Sequence, residues 1–323
     1  QLIKKLLMNL NKLKKLTGDA SFRIFYRGRK NIFVHCEKNK KSNLLIYDTI
    51  NKILIKKNIL APKLISQNYT NNYIEIEDFG DMTVFKKFKK KTINKKIYYK
   101  KILDLLIKIK KIKVKKYKTF LKTDYKIPQY TSKKILDESN LFLDWYLPKY
   151  VKGTKNRILK IKLKKIFKKL INGISYKNKV FVHRDFHVSN IMITKKGLGL
   201  IDTQDAVYGS IAYDLASLID DVRLKTNTKI KNFIFDEFIK KNKHLDLKKF
   251  KSDFEILSVL RNLKIIGIFT RLSVRDKKNK YLKLIPHAWE LIDYRTGNNP
   301  IFKDLNYLLI KNFDKKIRNF YEN

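Results

Sequence analysis

Cysteine is nearly absent from this chain. Cys36 stands alone, so no internal disulfide can form and nothing ties the protein to an oxidising compartment. Five prolines and ten glycines in 323 residues are too few for a disordered or low-complexity chain. Long apolar runs are also missing: no window approaches the roughly 20 apolar residues a membrane helix needs. Gln1–Leu16 alternates Leu and Lys at a helical spacing. It has neither the continuous apolar stretch nor the small-residue cleavage site of a secretion signal. The expected setting is the cytoplasm, away from membranes.

Acidic residues are scarce as well. Twenty-nine Asp and Glu face seventy-five Lys and Arg, a formal net charge of +46. Such a balance ordinarily points to nucleic acid or an anionic surface. Here the positive residues are mostly Lys, spread along the whole chain among abundant Asn, Ile and Tyr. No basic stripe interleaves with aromatics, and there is no zinc-ligand set. The excess reads as compositional bias that places Lys on solvated faces, and no nucleic-acid partner is expected. A polyanion-binding module without catalysis is the competing reading, and it predicts a steep salt dependence of nucleic-acid affinity. The 44% hydrophobic and 12% aromatic content is ample for a buried core.

Apolar periodicity changes along the chain. Phe22–Tyr26 and Asn31–Cys36 alternate like strands around the turn 27–30, and Ser42–Lys57 has a helical period. Lys63–Gln67 and Tyr73–Glu77 alternate again, and Asp78-Phe79-Gly80-Asp81 breaks the run. From about Thr92 the spacing is mainly helical: Ile93–Lys113, Ser132–Tyr150, Leu159–Ile174, Ile211–Val222, Lys229–Lys240, Lys248–Leu272, Ile285–Tyr294 and Phe302–Phe320. Three short strand-like runs, Val180–Val182, Ile191–Ile193 and Leu198–Ile201, interrupt it. The expected fold is α+β with two lobes: a small β-rich lobe over residues 1–80 and a larger, mainly helical lobe over 81–323.

The chemistry concentrates in Val182-His183-Arg184-Asp185-Phe186-His187-Val188-Ser189-Asn190, followed by Gly199-Leu200-Ile201-Asp202. Phosphoryl transfer asks a protein for a group to take the acceptor's proton, ligands for magnesium, and control of geometry. Asp185 follows an apolar run, where a scaffold can aim it. Asn190, five residues on, offers a neutral oxygen. Asp202, twelve residues later at the end of another apolar run, offers the hard anionic oxygen that Mg²⁺ prefers. Taken singly, each could be a turn former or helix cap. As a set in one segment they point to catalysis.

This segment resembles the signature of the aminoglycoside phosphotransferase/choline kinase superfamily, His-x-Asp-x4-Asn followed by Ile-Asp. More narrowly, Phe181–Asp221 resembles the bacterial N-acetylmuramate/N-acetylglucosamine anomeric kinases. So do Gly18-Asp19-Ala20-Ser21-Phe22-Arg23, Glu77-Asp78-Phe79-Gly80-Asp81, Asp144-Trp145-Tyr146-Leu147 and Leu263–Asp276. The resemblance implies a protein-kinase-like fold that uses ATP and Mg²⁺. It implies Asp185 as catalytic base and Asn190 and Asp202 as magnesium ligands. Gly18, Ala20 and Ser21 would cover the nucleotide phosphates, and Glu77 and Phe79 would meet the adenine. Asp144, His187, Asp205, Tyr208 and Arg271 are candidates for the acceptor site, though an ion pair or packing role is an equally good account of several. His183 reads as a loop-stabilising core residue.

The expected activity is a sugar 1-kinase, transferring phosphate to the anomeric hydroxyl of a small amino sugar, with the protein acting as a monomer. An aminoglycoside or choline-type acceptor is the alternative. It would be a cation, needing a local acidic pocket or aromatic cage within a strongly positive protein. A pseudokinase is the non-enzymatic counterpart, opposed by the complete set of Asp185, Asn190 and Asp202. One element departs from the kinase pattern. The strand lysine that usually holds the α- and β-phosphates is missing from Ile32-Phe33-Val34-His35-Cys36-Glu37-Lys38: Lys38 comes too late and Lys30 too early.

Overall fold

Strand alternation near the N-terminus produces a sheet. In the computed structural model, which describes residues 13–16, 23–114, 116–177, 180–297 and 299–319, five strands pair antiparallel in the order β1-β2-β3-β5-β4. They are β1 Lys14–Leu16, β2 Ile24–Arg27, β3 Asn31–His35, β4 Leu64–Asn68 and β5 Tyr73–Glu77. The expected strands are present within a residue or two. Lys14–Leu16 is a correction: read as the end of a helix, it is a strand paired with Phe25–Arg27. Alternating Leu and Lys satisfies a short edge strand as well as a helix, and the pairing decides. The rest of the expected N-terminal helix lies outside the described residues, as do Gly18, Ala20 and Ser21.

One face of this sheet is apolar. Ile32, Val34, Ile74 and Ile76 pack with Cys36 and with Leu44 and Tyr47 of α1, Ser42–Lys56. Leu44, Tyr47, Ile50, Ile53 and Leu54 are buried at the three- and four-residue spacing of a helix face. Two further helices follow, α2 Val84–Lys89 and α3 Lys95–Lys110, each begun by a side-chain cap. Thr83 Oγ1 accepts from the Lys86 amide at 3.1 Å, and Asn94 Oδ1 from that of Ile97 at 3.2 Å. Among six residues rich in Lys, only Val84 and Phe88 of α2 are buried, so the sequence pattern gave no sign of it.

The chain divides into two compact units, residues 1–128 with 183–207, and residues 129–182 with 208–323. This cuts the chain differently from the single boundary expected after Gly80. Residues 183–207 carry a hairpin, β6 Ile191–Thr194 and β7 Gly197–Leu200. Backbone bonds knit it to the first unit: Leu200 N to Leu60 O at 2.8 Å, Ile193 N to Met82 O at 2.8 Å, and Phe85 N to Val188 O at 3.0 Å. At Gly199 a Cβ would stand 2.6 Å from Cε2 of Phe79, so only glycine lets the Phe79 ring lie against the hairpin.

The second unit is helical. Short strands Val180–Val182 and Val207–Gly209, which flank residues 183–206 in sequence, pair with each other. The main helices are α4 Ser132–Leu141, α5 Gly153–Asn172, α6 Tyr213–Ile219, α7 Thr228–Lys240, α8 Leu247–Asp276 and α9 Ile285–Thr296. Helix α8 is the axis, packed by α4, α6 and α9. The continuous helix expected over Ser132–Tyr150 is interrupted by a π-helical turn at Phe142–Tyr146. Pro148 follows, and without an N–H it cannot bond the carbonyl four residues back. The expected Phe302–Phe320 helix likewise breaks, into Lys303–Asn312 and Lys315–Asn319. Asp314 caps the second piece through a 2.8 Å bond from Ile317 N. Among the described residues no helix is long and apolar enough to cross a membrane.

Candidate active site

The loop from His183 to Asn190 is shaped by bonds to itself. The His187 amide donates to Asp185 O at 3.0 Å, and the Asn190 amide to His187 O at 2.9 Å. The Asn190 side chain closes the turn, its Nδ2 donating to Asp185 O at 3.1 Å. That bond commits the amide nitrogen and leaves a neutral carbonyl oxygen as what Asn190 can offer a cation. His183 and His187 are both buried. The His183 ring packs edge-on against Phe186 and its Nε2 lies 3.1 Å from Ile201 O, a core role as expected.

Register brings the third member in. Leu200 pairs with Ile191 across the hairpin, and one step further the Ile201 amide donates to Asn190 O at 3.1 Å. Asp202, the next residue, therefore stands beside Asn190, although twelve residues separate them in sequence. Arg184 and Asp202 both adopt positive φ, +75° and +63°. Left-handed backbone at two non-glycine residues on either side of one hairpin is a mark of strain held in place by its surroundings. Behind the site, Thr203 Oγ1 donates to Asn51 Oδ1 at 2.6 Å, and Asn51 Nδ2 to Pro62 O at 3.0 Å. Helix α1 thus anchors the backbone next to Asp202.

Two arginines absent from the sequence-level site take part. Arg23 Nη2 lies 2.7 Å from Asp202 Oδ1, and Gln204 Nε2 donates to the same oxygen at 3.1 Å. Arg27 clamps the segment after β5: Nε to Asp78 Oδ2 at 2.7 Å, Nη1 to Asp81 Oδ1 at 2.7 Å, Nη2 to Gly80 O at 3.0 Å. The hydrogen bond from Arg27 holds the Asp81 carboxyl below its ordinary range. Both arginines act across 50 or more residues of sequence, so no local pattern announces them.

The remaining candidates fall as follows. Glu77 and Phe79 are half-buried in the first unit. The Glu77 amide already donates to Lys63 O at 2.9 Å, so a base would be met through its carbonyl. Asp205 is exposed, accepting from Gln204 Nε2 at 2.8 Å, with Arg184 Nη1 4.0 Å away. Asp144, Tyr208 and Arg271 belong to the second unit. Asp144 is exposed on the π-helical turn and paired with Lys160 at 2.7 Å; Tyr208 O accepts from the Tyr130 amide at 2.8 Å. Arg271 is half-buried on α8, its affinity for a proton lowered by burial and by the charge of Arg275.

The donor set suits magnesium. Among the described residues no group of three or more His, Cys, Asp or Glu is assembled for a metal. One carboxylate and one amide oxygen would hold Mg²⁺ together with nucleotide phosphates, the sparse protein ligation that this ion commonly receives.

Comparison with known proteins bears on the family and the fold. Residues 129–230 match the model of the phosphotransferase enzyme family. The N-acetylmuramate/N-acetylglucosamine kinase of Pseudomonas putida is 25% identical over 306 residues, 92% of this chain and 87% of that one. The enzyme of the same name from Neisseria meningitidis serogroup B is 36% identical over 173 residues, half of each chain. Among solved structures, the ADP-bound aminoglycoside phosphotransferase APH(2'')-Ib superposes with a TM-score of 0.58 at 14% identity, over 90% of this chain and 96% of that one. The superfamily resemblance read from the sequence is borne out, and with it the α+β kinase-like fold.

Proposed function

We propose that this chain, with the fold of the aminoglycoside phosphotransferase/choline kinase superfamily and a phosphotransferase-family match across its catalytic loop, phosphorylates the anomeric hydroxyl of an amino sugar of the N-acetylmuramate/N-acetylglucosamine type. The observation that carries the reaction type is the hairpin register that sets Asp202 beside Asn190, at the end of the loop bearing Asp185. The acceptor class is supported by similarity to sugar kinases over nearly the whole chain.

In this reading the Asp185 carboxylate takes the proton of the sugar C1 hydroxyl. The hydroxyl oxygen forms a bond to the γ-phosphorus of ATP as the bond to the β,γ-bridging oxygen breaks, giving sugar 1-phosphate and ADP. Magnesium bound by Asn190 and Asp202 would supply neutralisation of the charge gathering on the phosphate oxygens. The left-handed Arg184 and the Asn190-to-Asp185 bond fix the loop, so the carboxylate is aimed before substrate arrives. The enzyme is taken to be a cytoplasmic monomer acting on a free small molecule.

The test is a coupled ADP-release assay with MgATP and N-acetylmuramate, N-acetylglucosamine, choline and an aminoglycoside in separate reactions. Turnover is expected with an amino sugar. Asp185→Asn should lower kcat by about 100- to 10,000-fold with MgATP affinity held within about twofold. Turnover with choline or the aminoglycoside alone would reassign the acceptor, and amino-sugar turnover surviving in Asp185→Asn would remove the base from its role.

A further inference from the structure

The kinase pattern asks for a cation on the inner face of β3, and the chain does not put one there. Ile32, Val34 and Cys36 occupy that face, all buried, while Lys30 and Lys38 are exposed on either side of the strand. Cys36 ends that buried row, one residue past the last residue of β3. Its thiol cannot substitute: burial pushes its pKa up to about 11, against the opposing charge of Arg23, so it stays neutral at physiological pH.

The strand register identifies the replacement. Ile24 pairs with His35 in the β2–β3 ladder, so the next position outward sets Arg23 across from Cys36. Cross-strand neighbours share a face, and Arg23 is accordingly 5% exposed, on the inner side of the sheet. Its guanidinium carbon lies 5.8 Å from the Phe25 ring centroid and 5.5 Å from that of Tyr47 in α1. These rings fix the side chain's direction, and one nitrogen reaches Asp202 Oδ1 at 2.7 Å. Tyr47 registers both partners. Burial raises its phenol to about 12, the Arg23 charge opposes that, and the Asp202 charge adds to it. Two other cations of this unit, Arg27 and Lys52, are paired elsewhere, with Asp78 and Asp81 and with Asp48.

We infer that Arg23 is the phosphate-binding cation of this protein, reaching from the neighbouring strand into the space that a β3 lysine fills elsewhere; the inference rests on the reading of the site as a nucleotide-dependent kinase. Asp202 is 38% exposed at its side chain while Arg23 is almost wholly enclosed, so the pair meets solvent on the carboxylate's side, where phosphates would enter. A planar guanidinium can donate to Asp202 and a phosphate oxygen together, which a lysine does only as a point charge. Without nucleotide, Arg23 holds Asp202 in place. With nucleotide bound, it bridges that carboxylate to the phosphates.

Calorimetric titration of the whole chain with MgATP, MgADP and adenosine tests this without depending on turnover. Arg23→Gln keeps donors for Asp202 but drops the charge. It should weaken MgATP and MgADP by about tenfold or more while adenosine stays within about twofold. Arg23→Lys should recover part of the loss. Equal weakening of adenosine and MgATP, or no weakening of either, would overturn the assignment and leave Arg23 a structural ion pair. Should Arg23→Gln fail to fold, Arg23→Lys decides: the ratio of MgATP to adenosine affinity should fall about threefold or more, and an unchanged ratio overturns the inference. A wild-type protein that binds neither MgATP nor MgADP would instead sink the underlying kinase reading, an outcome recognisable before any variant is made.

Discussion

Two of this protein's aspartate–arginine pairs, Asp202 with Arg23 in the first unit and Asp220 with Arg295 in the second, are built for different ends. In the first, Asp202 meets Arg23 at 2.7 Å with its carboxylate 38% exposed, on backbone in the left-handed region. In the second, Asp220 is fully enclosed. Lys231 Nζ stands at 2.7 Å, Arg295 Nε at 2.8 Å and Nη2 at 3.2 Å, and Ser258 Oγ donates at 2.6 Å. Asp220 has its acceptor positions saturated by donors of α7, α8 and α9, whereas Asp202 keeps a solvent-facing side. Saturation suits an anchor between helices, and an incomplete shell suits a ligand that must accept a further cation. Proximity of opposite charges does not mark function; unfilled capacity does.

The largest expected effect lies at the saturated pair. Asp220→Asn leaves Lys231 and Arg295 buried with no compensating charge and should lower unfolding free energy by about 3–5 kcal/mol, read as a shift in urea midpoint. A change below about 1 kcal/mol would mean water or rearrangement relieves those cations and the contrast fails.

Acid should produce an intermediate effect. Burial alone would raise the Asp220 pKa, but the charges and hydrogen bonds of Arg295 and Lys231 outweigh it and hold the group at about 2. A carboxylate depressed on folding contributes stability that is complete above its ordinary pKa, near 4, and is lost as pH falls through the folded value. The stability gap between wild type and Asp220→Asn should therefore narrow from pH 4 to pH 2 by about 2 kcal/mol. Asp48 and Asp253, both raised by burial, move the other way and appear equally in both proteins, so the difference isolates Asp220. A constant gap across that range would show that the cluster is not what sets the acid limb.

The smallest stability effect is expected at the open pair. Asp202→Asn keeps an acceptor oxygen for Arg23 and should change unfolding free energy by about 1 kcal/mol or less, while magnesium-dependent ATP binding measured by calorimetry falls sharply. A stability loss as large as that of Asp220→Asn would erase the distinction between the pairs.

Much of the first unit, and the segment that carries the candidate site, were legible in the sequence. Asp185, Asn190 and Asp202 sit within one short segment, and the apolar runs at Ile191–Ile193 and Leu198–Ile201 announce the hairpin that brings Asn190 and Asp202 together. Arg23 and Arg27 were not legible as site residues, because their partners lie 179 and 51 residues away and only strand pairing joins them. The π-helical turn was hidden for a different reason. Apolar spacing over Ser132–Tyr150 is helical throughout, and Pro148 was the sole local sign of the break. The three-residue strand at Lys14–Leu16 shows the limit of periodicity itself, since so few residues carry no period of their own.

The left-handed backbone at Asp202 sets two pressures against each other. Glycine or asparagine would rest there more easily than aspartate, by about 1 kcal/mol for glycine. Either would remove the charge that Arg23 meets and that the proposed magnesium ion would require. Rounds of directed evolution that score heat resistance alone would drift toward an inert protein at this position, and consensus-style stabilisation should leave it untouched. Only scoring by product formation keeps the carboxylate, so residue 202 separates a screen for survival of the fold from a screen for work.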